Sequence, residues 1–199
     1  MKSFISGVIL AAGESKRFTG YPPKQLLKIQ EETLIHLITR QALSSQLSEV
    51  VVVLGYQSEV IKNHLSDLHV SVIFNKNYAS GQSSSVKAGL ESIHSSATAV
   101  LFIPIDQPFL TDKVFNQLIT AHEEGTSLIT LPTYQERRGS PVIFDRILFP
   151  ELSTITGDEG GRQILEKNDG KIQTVALNTE DPLLDIDTPA QYQKLLIRN

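Results

Sequence analysis

The sequence contains no cysteine, no excess of basic residues and no long apolar run. Without cysteine, disulfides, a thiolate nucleophile and cysteine-ligated metal clusters are excluded. The formal net charge of −4 argues against broad binding of nucleic acid, although it leaves room for a local basic pocket. No stretch reaches the roughly 18 apolar residues of a membrane span, and no cleavable leader pattern opens the chain. We therefore expect a cytoplasmic protein with neither a membrane nor a nucleic acid as partner.

Two common nucleotide-binding motifs are also missing. Neither Gly-x-Gly-x-x-Gly nor a Walker A sequence occurs, so a dehydrogenase or a P-loop NTPase has no support. The histidines form no close metal-ligand pair; they are His36, His64, His69, His94 and His122. We expect these histidines to lie on the surface or on helix faces.

The length and composition are those of one globular domain. Of the 199 residues, 40% are hydrophobic and 20% are charged. A chain of this length buries about 70% of the surface that its unfolded form exposes, so it needs no disulfide or structural metal. We predict a single domain spanning residues 1–199.

Short apolar runs alternate with helical patterns along the chain. The predicted strands are Ile5–Leu10, Val50–Leu54, Val70–Phe74, Ala99–Ile105 and Ser127–Leu131. Apolar stripes of helical spacing begin at Leu34, Val86 and Val114. This alternation predicts an α/β fold with a mostly parallel, Rossmann-like sheet and helices on both faces. The less regular segment 132–169 is interpreted as an insertion that covers the substrate.

The segment after the first predicted strand has the composition of a phosphate-binding loop. Its small residues allow backbone N–H groups to approach phosphate oxygens, and its two cations can neutralise a polyphosphate. We predict that it binds a nucleoside triphosphate through Leu10, Ala11, Ala12, Gly13, Ser15, Arg17 and Lys24. In open α/β sheets ligands lie at the carboxyl ends of the strands, where this segment falls.

Three aspartates follow apolar or extended segments and are candidate metal ligands. Asp106 ends a buried strand, and carboxylates there can bind Mg²⁺, which prefers oxygen ligands. Asp185 and Asp187 alternate on an extended segment, so they share one face, and one of them could complete the site. The alternative for Asp106 is a turn or the cap of a helix near Thr111, and for Asp187 a helix start before Pro189.

A third polar segment precedes the apolar stripe at Val86. Gly81 and the serines that follow it, including Ser85, stand at a helix N-terminus, where hydroxyls and the helix dipole favour a base or a phosphate. Helix capping is the alternative role of these serines.

Six ordered blocks of sequence resemble the MobA-like nucleotidyltransferase family, most of all its molybdenum cofactor cytidylyltransferases. The block at 10–27 resembles the family's Leu-Ala-Ala-Gly-x-Ser-x-Arg followed by Pro-Lys, with more residues than usual before Lys24. The other blocks lie at 75–90, 105–108, 138–142, 157–162 and 185–189. Within 138–142, Ser140 stands where the family often has His, which leaves the acceptor open.

The resemblance implies a nucleotide-diphospho-sugar transferase-like fold and transfer of CMP from CTP to a phosphorylated pterin, the molybdenum cofactor, with release of pyrophosphate. It implies catalytic roles for Arg17, Lys24 and Asp106, with Mg²⁺ held by Asp106 and by Asp187 or Asp185. Acceptor binding is implied for Ser140, Pro141 and Arg162. A molybdenum hydroxylase is implied as the recipient of the finished cofactor.

Two alternatives remain open at the level of sequence. One is a guanylyltransferase, or a transferase acting on another phosphorylated acceptor. We favour CTP because cytidylyl members usually carry Ala where guanylyl members carry Gly, and the methyl of Ala12 suits the smaller pyrimidine. The other alternative, from a different class, is a non-catalytic carrier of the molybdenum cofactor.

Overall fold

A computed structural model describes residues 3–158 and 160–198, so Glu159 of the 157–162 block lies outside the described residues. The strands are β1 Ile5–Ala11, β2 Lys28–Ile29, β3 Glu32–Thr33, β4 Glu49–Leu54, β5 Ser71–Phe74, β6 Ala99–Pro104, β7 Ile129–Tyr134, β8 Arg137–Arg138, β9 Val142–Asp145 and β10 Ile172–Ala176. The α-helices are α1 Leu34–Leu43, α2 Ser58–Asn63, α3 Gln82–Ser92, α4 Asp112–Glu124, α5 Phe149–Leu152, α6 Arg162–Lys167 and α7 Pro189–Arg198.

The central sheet has the strand order β10-β7-β9-β6-β1-β4-β5, and the short β8 pairs with β7. β1 pairs in parallel with β4 and with β6, and β7 in parallel with β10. β9 runs antiparallel to both of its neighbours, β6 and β7. β2 and β3 form a separate antiparallel hairpin. The prediction of a mostly parallel sheet is confirmed.

Helices cover both faces of this sheet because alternate residues of the buried strands point to opposite faces. In β1, Ile5 and Ile9 belong to one apolar core and Val8 belongs to the other. The first core includes side chains of α1, α2, α4 and α7, and the second includes side chains of α3, α5 and α6. α3 packs closely on β1 since Gly89 has no side chain to collide with Val8.

The five predicted strands and three predicted helices all occur, with ends that differ by one to three residues where strands meet loops. The interpretation of 132–169 as a covering insertion is wrong for its central part, because β9 lies inside the sheet between β6 and β7. The four residues of β9 form an apolar run in the sequence that is too short to be distinguished from the loops on either side of it. Within the described residues, no helix is long and apolar enough to cross a membrane.

An ion-pair cluster fixes α1 against the β2–β3 hairpin and the segment after α2. Glu32 accepts hydrogen bonds from Arg40 at 2.8 and 2.9 Å, and mainly for this reason its pKa is lowered to about 2. His36 lies between Glu32 at 2.5 Å and Asp67 at 3.0 Å. Burial alone would lower the pKa of His36, but the hydrogen bonds to the two carboxylates outweigh it and raise the pKa.

The chain order across the sheet places a ligand-binding crevice beside β1. After β1 the chain continues to β4 and β5 on one side, and it then crosses to β6 on the other side. The connections that follow β1 and β6 therefore diverge at their carboxyl ends, which is where open α/β sheets bind ligands.

Candidate active site

A cleft of about 480 Å³ opens at this crevice. It is lined by the loop after β1, by the segment between β5 and α3, by the end of β6 and by Asp187 near the start of α7. Most nucleotide-side residues predicted from the sequence line the cleft, namely Leu10, Ala12, Gly13, Ser15, Arg17, Lys24, Gly81 and Ser85. Ala11 does not line it, because it ends β1 and its side chain is fully buried in the core.

Lys24 joins two of the predicted aspartates at the centre of the cleft. Its Nζ lies 3.0 Å from an oxygen of Asp106 and 3.1 Å from an oxygen of Asp187. The Lys24 side chain is only 14% exposed, and its Nζ is 5.9 Å from the centre of the Phe18 ring. Residues that are 82 and 163 positions apart in sequence therefore meet in one charged cluster.

Asp106 lies in a turn directly after β6, as one of its alternatives predicted, whereas the helix-capping roles considered for these aspartates are filled by other groups. Thr111 is the N-cap residue of α4, so Asp106 does not cap that helix. At α7 the Thr188 hydroxyl accepts a hydrogen bond from the Gln191 N–H, and the Gln191 side chain accepts one from the Asp187 N–H. The Asp187 carboxylate is consequently left to bind Lys24.

Asp185 takes a different position from Asp187. It accepts a hydrogen bond of 2.9 Å from Gln107, and it does not line the cleft. Although the residue as a whole is exposed, protein on the side of Gln107 withdraws its carboxylate from water, which raises its pKa. The negative charges of Asp106 and Asp187 raise the pKa further, while the Gln107 hydrogen bond opposes this.

The donor set at Lys24 fits a hard divalent cation. The carboxylates of Asp106 and Asp187 converge on one positive charge, and carboxylate oxygens are preferred ligands of Mg²⁺. Across residues 3–158 and 160–198, no three His, Asp or Glu side chains come together as a preformed metal cage. Mg²⁺ commonly retains waters and binds through one or two carboxylates plus substrate phosphates, which agrees with a two-carboxylate site.

A hydrogen bond between Ser15 and Lys24 fixes the shape of the loop after β1. Ser15 adopts a left-handed conformation with φ of 55°, and its hydroxyl accepts a hydrogen bond from the Lys24 N–H at 3.0 Å. Phe18 turns into the core and is 4% exposed. The longer spacing before Lys24 is thus absorbed by a compact turn, and Lys24 still reaches the cleft. Arg17 lies exposed at the rim of the cleft and makes no ion pair with any described side chain.

The segment before α3 forms the opposite wall. Gly81 has φ of +101°, and a Cβ there would stand 2.6 Å from an oxygen of Asp158. Asn75 donates to the hydroxyls of Ser84 at 2.8 Å and of Ser85 at 3.1 Å. Ser84 donates in turn to the Gly81 carbonyl, whereas Ser85 lines the cleft. The N-cap residue of α3 is Gly81 and not a serine, so the helix-capping alternative for these serines is wrong.

A second cavity of about 830 Å³ adjoins the cleft and shares Leu10 and Gln82 with it. Two of the predicted acceptor residues, Ser140 and Arg162, line this cavity. The third, Pro141, is buried behind Ser140 and does not line it.

Aromatic side chains and arginines give this second cavity its chemistry. Phe102 and Phe144 lie at its floor with their ring centres 6.0 Å apart. Arg138 is paired with Asp169 at its rim. A flat, partly apolar molecule with polar edges matches such a lining.

Sequence reasoning missed three polar residues of the site. Gln25 and Gln107 are 1% and 3% exposed, and Asn75 is 4% exposed. Each lies within or beside a resembling block, but an amide side chain carries no charge or motif that marks its role. Only the fold shows that these amides bind the loops that line the cleft.

Comparison with known proteins identifies the family of this chain. The family model of the MobA-like NTP transferase domain matches residues 7–172. Nicotine blue oxidoreductase of Paenarthrobacter nicotinovorans is 30% identical over 96% of both chains. The molybdenum cofactor cytidylyltransferase of Escherichia coli K12 is 26% identical over 96% of this chain and 94% of that protein.

A solved structure has the same fold along nearly the whole chain. The manganese complex of Rv0371c from Mycobacterium tuberculosis H37Rv superposes with a TM-score of 0.84 at 25% identity, covering 99% of this chain and 100% of that one. The 4-diphosphocytidyl-2C-methyl-D-erythritol synthase from Anaerococcus prevotii also superposes, with a TM-score of 0.77 at 16% identity, covering 98% of this chain and 96% of that one. The expected nucleotide-diphospho-sugar transferase-like fold is thereby confirmed. The family model matches most of the chain, and the sheet and the cleft beside β1 are consistent with that match. This chain therefore belongs to the MobA-like NTP transferase family.

Proposed function

We propose that the protein, as one nucleotidyltransferase domain of residues 1–199, transfers CMP from CTP to the phosphate of a molybdenum-cofactor pterin and releases pyrophosphate. The observation that carries the proposal is the cluster of Lys24, Asp106 and Asp187 beside a second cavity that can hold an acceptor. Nucleotidyl transfer needs a charged triphosphate site and an adjoining acceptor site that open onto each other. A molybdenum hydroxylase is the proposed recipient of the product.

In the proposed reaction an oxygen of the acceptor phosphate attacks the α-phosphorus of CTP. The bond from the α-phosphorus to the bridging oxygen breaks in line, and pyrophosphate leaves with the electron pair. Because the attacking phosphate is already anionic, the protein need not remove a proton. Its task is to position the two phosphates and to stabilise charge.

The residues of the cleft have separate parts in that task. Lys24 and Arg17 supply positive charge to the departing pyrophosphate, and the N–H groups of the loop after β1 donate to phosphate oxygens. Asp106 and Asp187 would hold Mg²⁺, which offsets negative charge on the phosphates when it is bound. Asp185 is proposed to support this site from the side, through Gln107.

The base and the acceptor contact different parts of the two cavities. The methyl of Ala12 narrows the nucleotide side, which favours the smaller pyrimidine, and the Ser85 hydroxyl can donate to the base. Ser140 and Arg162 are proposed to contact the acceptor, with Pro141 shaping that segment from beneath. The similarity to a cytidylyltransferase over 96% of the chain supports the choice of CTP.

The test measures pyrophosphate release from CTP or GTP with MgCl₂ and the pterin phosphate acceptor. We expect faster release with CTP, and replacement of Asp106 by Ala should reduce turnover by about 10²-fold or more. Asp112→Ala is the matched control, since Asp112 starts α4 and does not line either cavity. Faster release with GTP would contradict the base assignment, and near-normal turnover of a folded Asp106→Ala protein would contradict the role of Asp106.

An oxidoreductase acting on a flat conjugated molecule is a second candidate. The 30% identity to nicotine blue oxidoreductase and the aromatic floor of the second cavity favour it. Reduction of a conjugated dye by NADH or NADPH, without pyrophosphate release from any triphosphate, would support it. Acceptor binding with neither reaction would instead indicate a cofactor carrier.

A further inference from the structure

Gln25 is buried directly beneath the nucleotide-binding loop. It is 1% exposed and lies in the short 3-10 helix Lys24–Leu26, one residue after the lysine of the charged cluster. Its Nε2 donates to the carbonyl oxygens of Ala11 at 2.8 Å and Gly13 at 2.9 Å. Its Oε1 lies 3.4 Å from the hydroxyl of Ser15, which donates to it. All the polar atoms of this side chain therefore bind the loop after β1.

These contacts determine which way the loop peptides face. In a trans peptide the C=O and the N–H point in opposite directions. Because the carbonyls of Ala11 and Gly13 point at Gln25, the N–H groups of Ala12 and Glu14 point away from it. The carbonyl of Ala12 accepts from the Tyr56 N–H at 3.1 Å, so the N–H of Gly13 points away from Tyr56.

The N–H groups of Gly13 and Glu14 find no acceptor among the described residues. Both residues line the cleft. Polar N–H groups that remain unpaired beside a cleft are available to a ligand that carries acceptor oxygens.

We propose that Gln25 is a positioning residue for the nucleotide, because it holds the loop peptides so that their N–H groups are presented to the phosphates. It does not touch the reacting atoms; it acts through the peptides at Ala11 and Gly13. The inference rests on the proposed function, since it requires a nucleoside triphosphate in this cleft, but it does not depend on which base is bound.

The donor character of the side chain is the property to be tested. Gln25→Glu keeps the shape, but it replaces the NH₂ group with an oxygen that faces two carbonyl oxygens and repels them. Gln25→Met keeps the length and removes both polar ends without adding charge. Gln46→Glu is the matched control, because Gln46 is exposed and precedes β4, at the edge of the sheet opposite the cleft.

The experiment measures binding of CTP and of GTP with MgCl₂ by calorimetry, together with KM and kcat for pyrophosphate release. Loss of about one net hydrogen bond to the nucleotide corresponds to roughly a tenfold weaker Kd. We expect that change in Kd and KM for both Gln25 variants, little change in kcat, and no change for Gln46→Glu. Amide hydrogen exchange at Phe18, Lys24 and Tyr56, whose N–H groups donate to Ser15 or Ala12 of this loop, should become faster in both Gln25 variants.

The outcomes separate the inference from the proposed function. If the parent protein binds nucleotide and a folded Gln25→Met or Gln25→Glu protein binds it equally well, the positioning role is wrong and the function stands. The same holds if the variants lose only thermal stability while Kd and loop exchange keep their values. A parent protein that binds neither CTP nor GTP contradicts the proposed function and the inference together.

Discussion

Within the described residues, Lys24 is the only positive charge that binds Asp106 and Asp187, and the effect of replacing it by Met can be worked out from the exposure of these side chains. Removing one partner of a fully buried ion pair costs about 3–5 kcal/mol, whereas an exposed pair contributes about 0–1 kcal/mol. The Lys24 side chain is 14% exposed, but the carboxylates of Asp106 and Asp187 are 27% and 45% exposed and can be rehydrated. We therefore expect an intermediate loss of about 1.5 kcal/mol in the free energy of unfolding.

The expected shift in thermal stability follows from that figure. For a chain of this size 1 kcal/mol changes Tm by about 2–4 °C, so Lys24→Met should lower Tm by about 3–6 °C. Met retains the stem of the side chain that packs near Phe18, so the loss reports the charge rather than the packing. Lys28→Met is the control, because Lys28 is exposed and has no ion-pair partner among the described side chains. The substitution therefore removes the same charge without breaking an ion pair.

Magnesium should reverse the loss in the variant. Without the ammonium, two carboxylates face each other and attract a divalent cation. An Mg²⁺ concentration ten times the dissociation constant contributes about 1.4 kcal/mol, which nearly offsets the destabilisation. MgCl₂ should thus raise the Tm of Lys24→Met more than that of Lys28→Met, as measured by differential scanning fluorimetry over a series of MgCl₂ concentrations. Equal Tm values of the two variants without metal, or no greater rise with MgCl₂, would refute this reasoning.

The remaining predictions concern pH and a strained glycine. The ion pairs of Glu32 stabilise the fold fully above its ordinary pKa of 4.5, and this stabilisation is lost as the pH falls toward 2. The ion pairs of His36 stabilise the fold fully below its ordinary pKa of 6.5, and this stabilisation is lost as the pH rises through the raised pKa. The Tm should therefore decline above about pH 6.5, and His36→Gln should flatten that decline; an unchanged slope would exclude His36 as its source. Gly81→Ala forces a side chain into left-handed backbone against Asp158, and it should lower Tm by about 2–12 °C and weaken CTP binding. An unchanged Tm would show that the backbone at Gly81 relaxes to accept a side chain.

The parallel strands β1, β4 and β6 could be predicted because they are buried on both faces and appear as continuous apolar runs. β1 and β4 are runs of this kind, and their order along the chain also located the crevice. β10 escaped prediction because its residues are intermediate or exposed, so its sequence lacks a continuous apolar run. α7 was anticipated only as a possible start before Pro189, since its apolar face becomes evident only when Tyr192 and Leu195 meet the core.

The charged residues of the site could be predicted from the sequence, whereas the buried amide side chains that hold its loops, Gln25, Asn75 and Gln107, could not. Lys24 and Asp106 follow recognisable local patterns, and the rule for open sheets places them at one edge. The assignment of Asp187 rather than Asp185 to the lysine depends on the capping of α7 by Thr188 and on the position of Gln107, which are contacts between distant segments. Alternation along the chain predicts that Asp185 and Asp187 lie on one face of an extended segment, but it does not predict which of them reaches Lys24.

The reversed direction of β9 decides which of its two ends borders the second cavity. A parallel strand brings its end to the carboxyl edge of the sheet, whereas an antiparallel strand brings its beginning there. The residues just before β9, which are Arg138, Gly139 and Ser140, therefore line the second cavity. Because these residues belong to a different segment from β6 and Asp106, the proposed function predicts that their substitution changes the acceptor and leaves the triphosphate site in place.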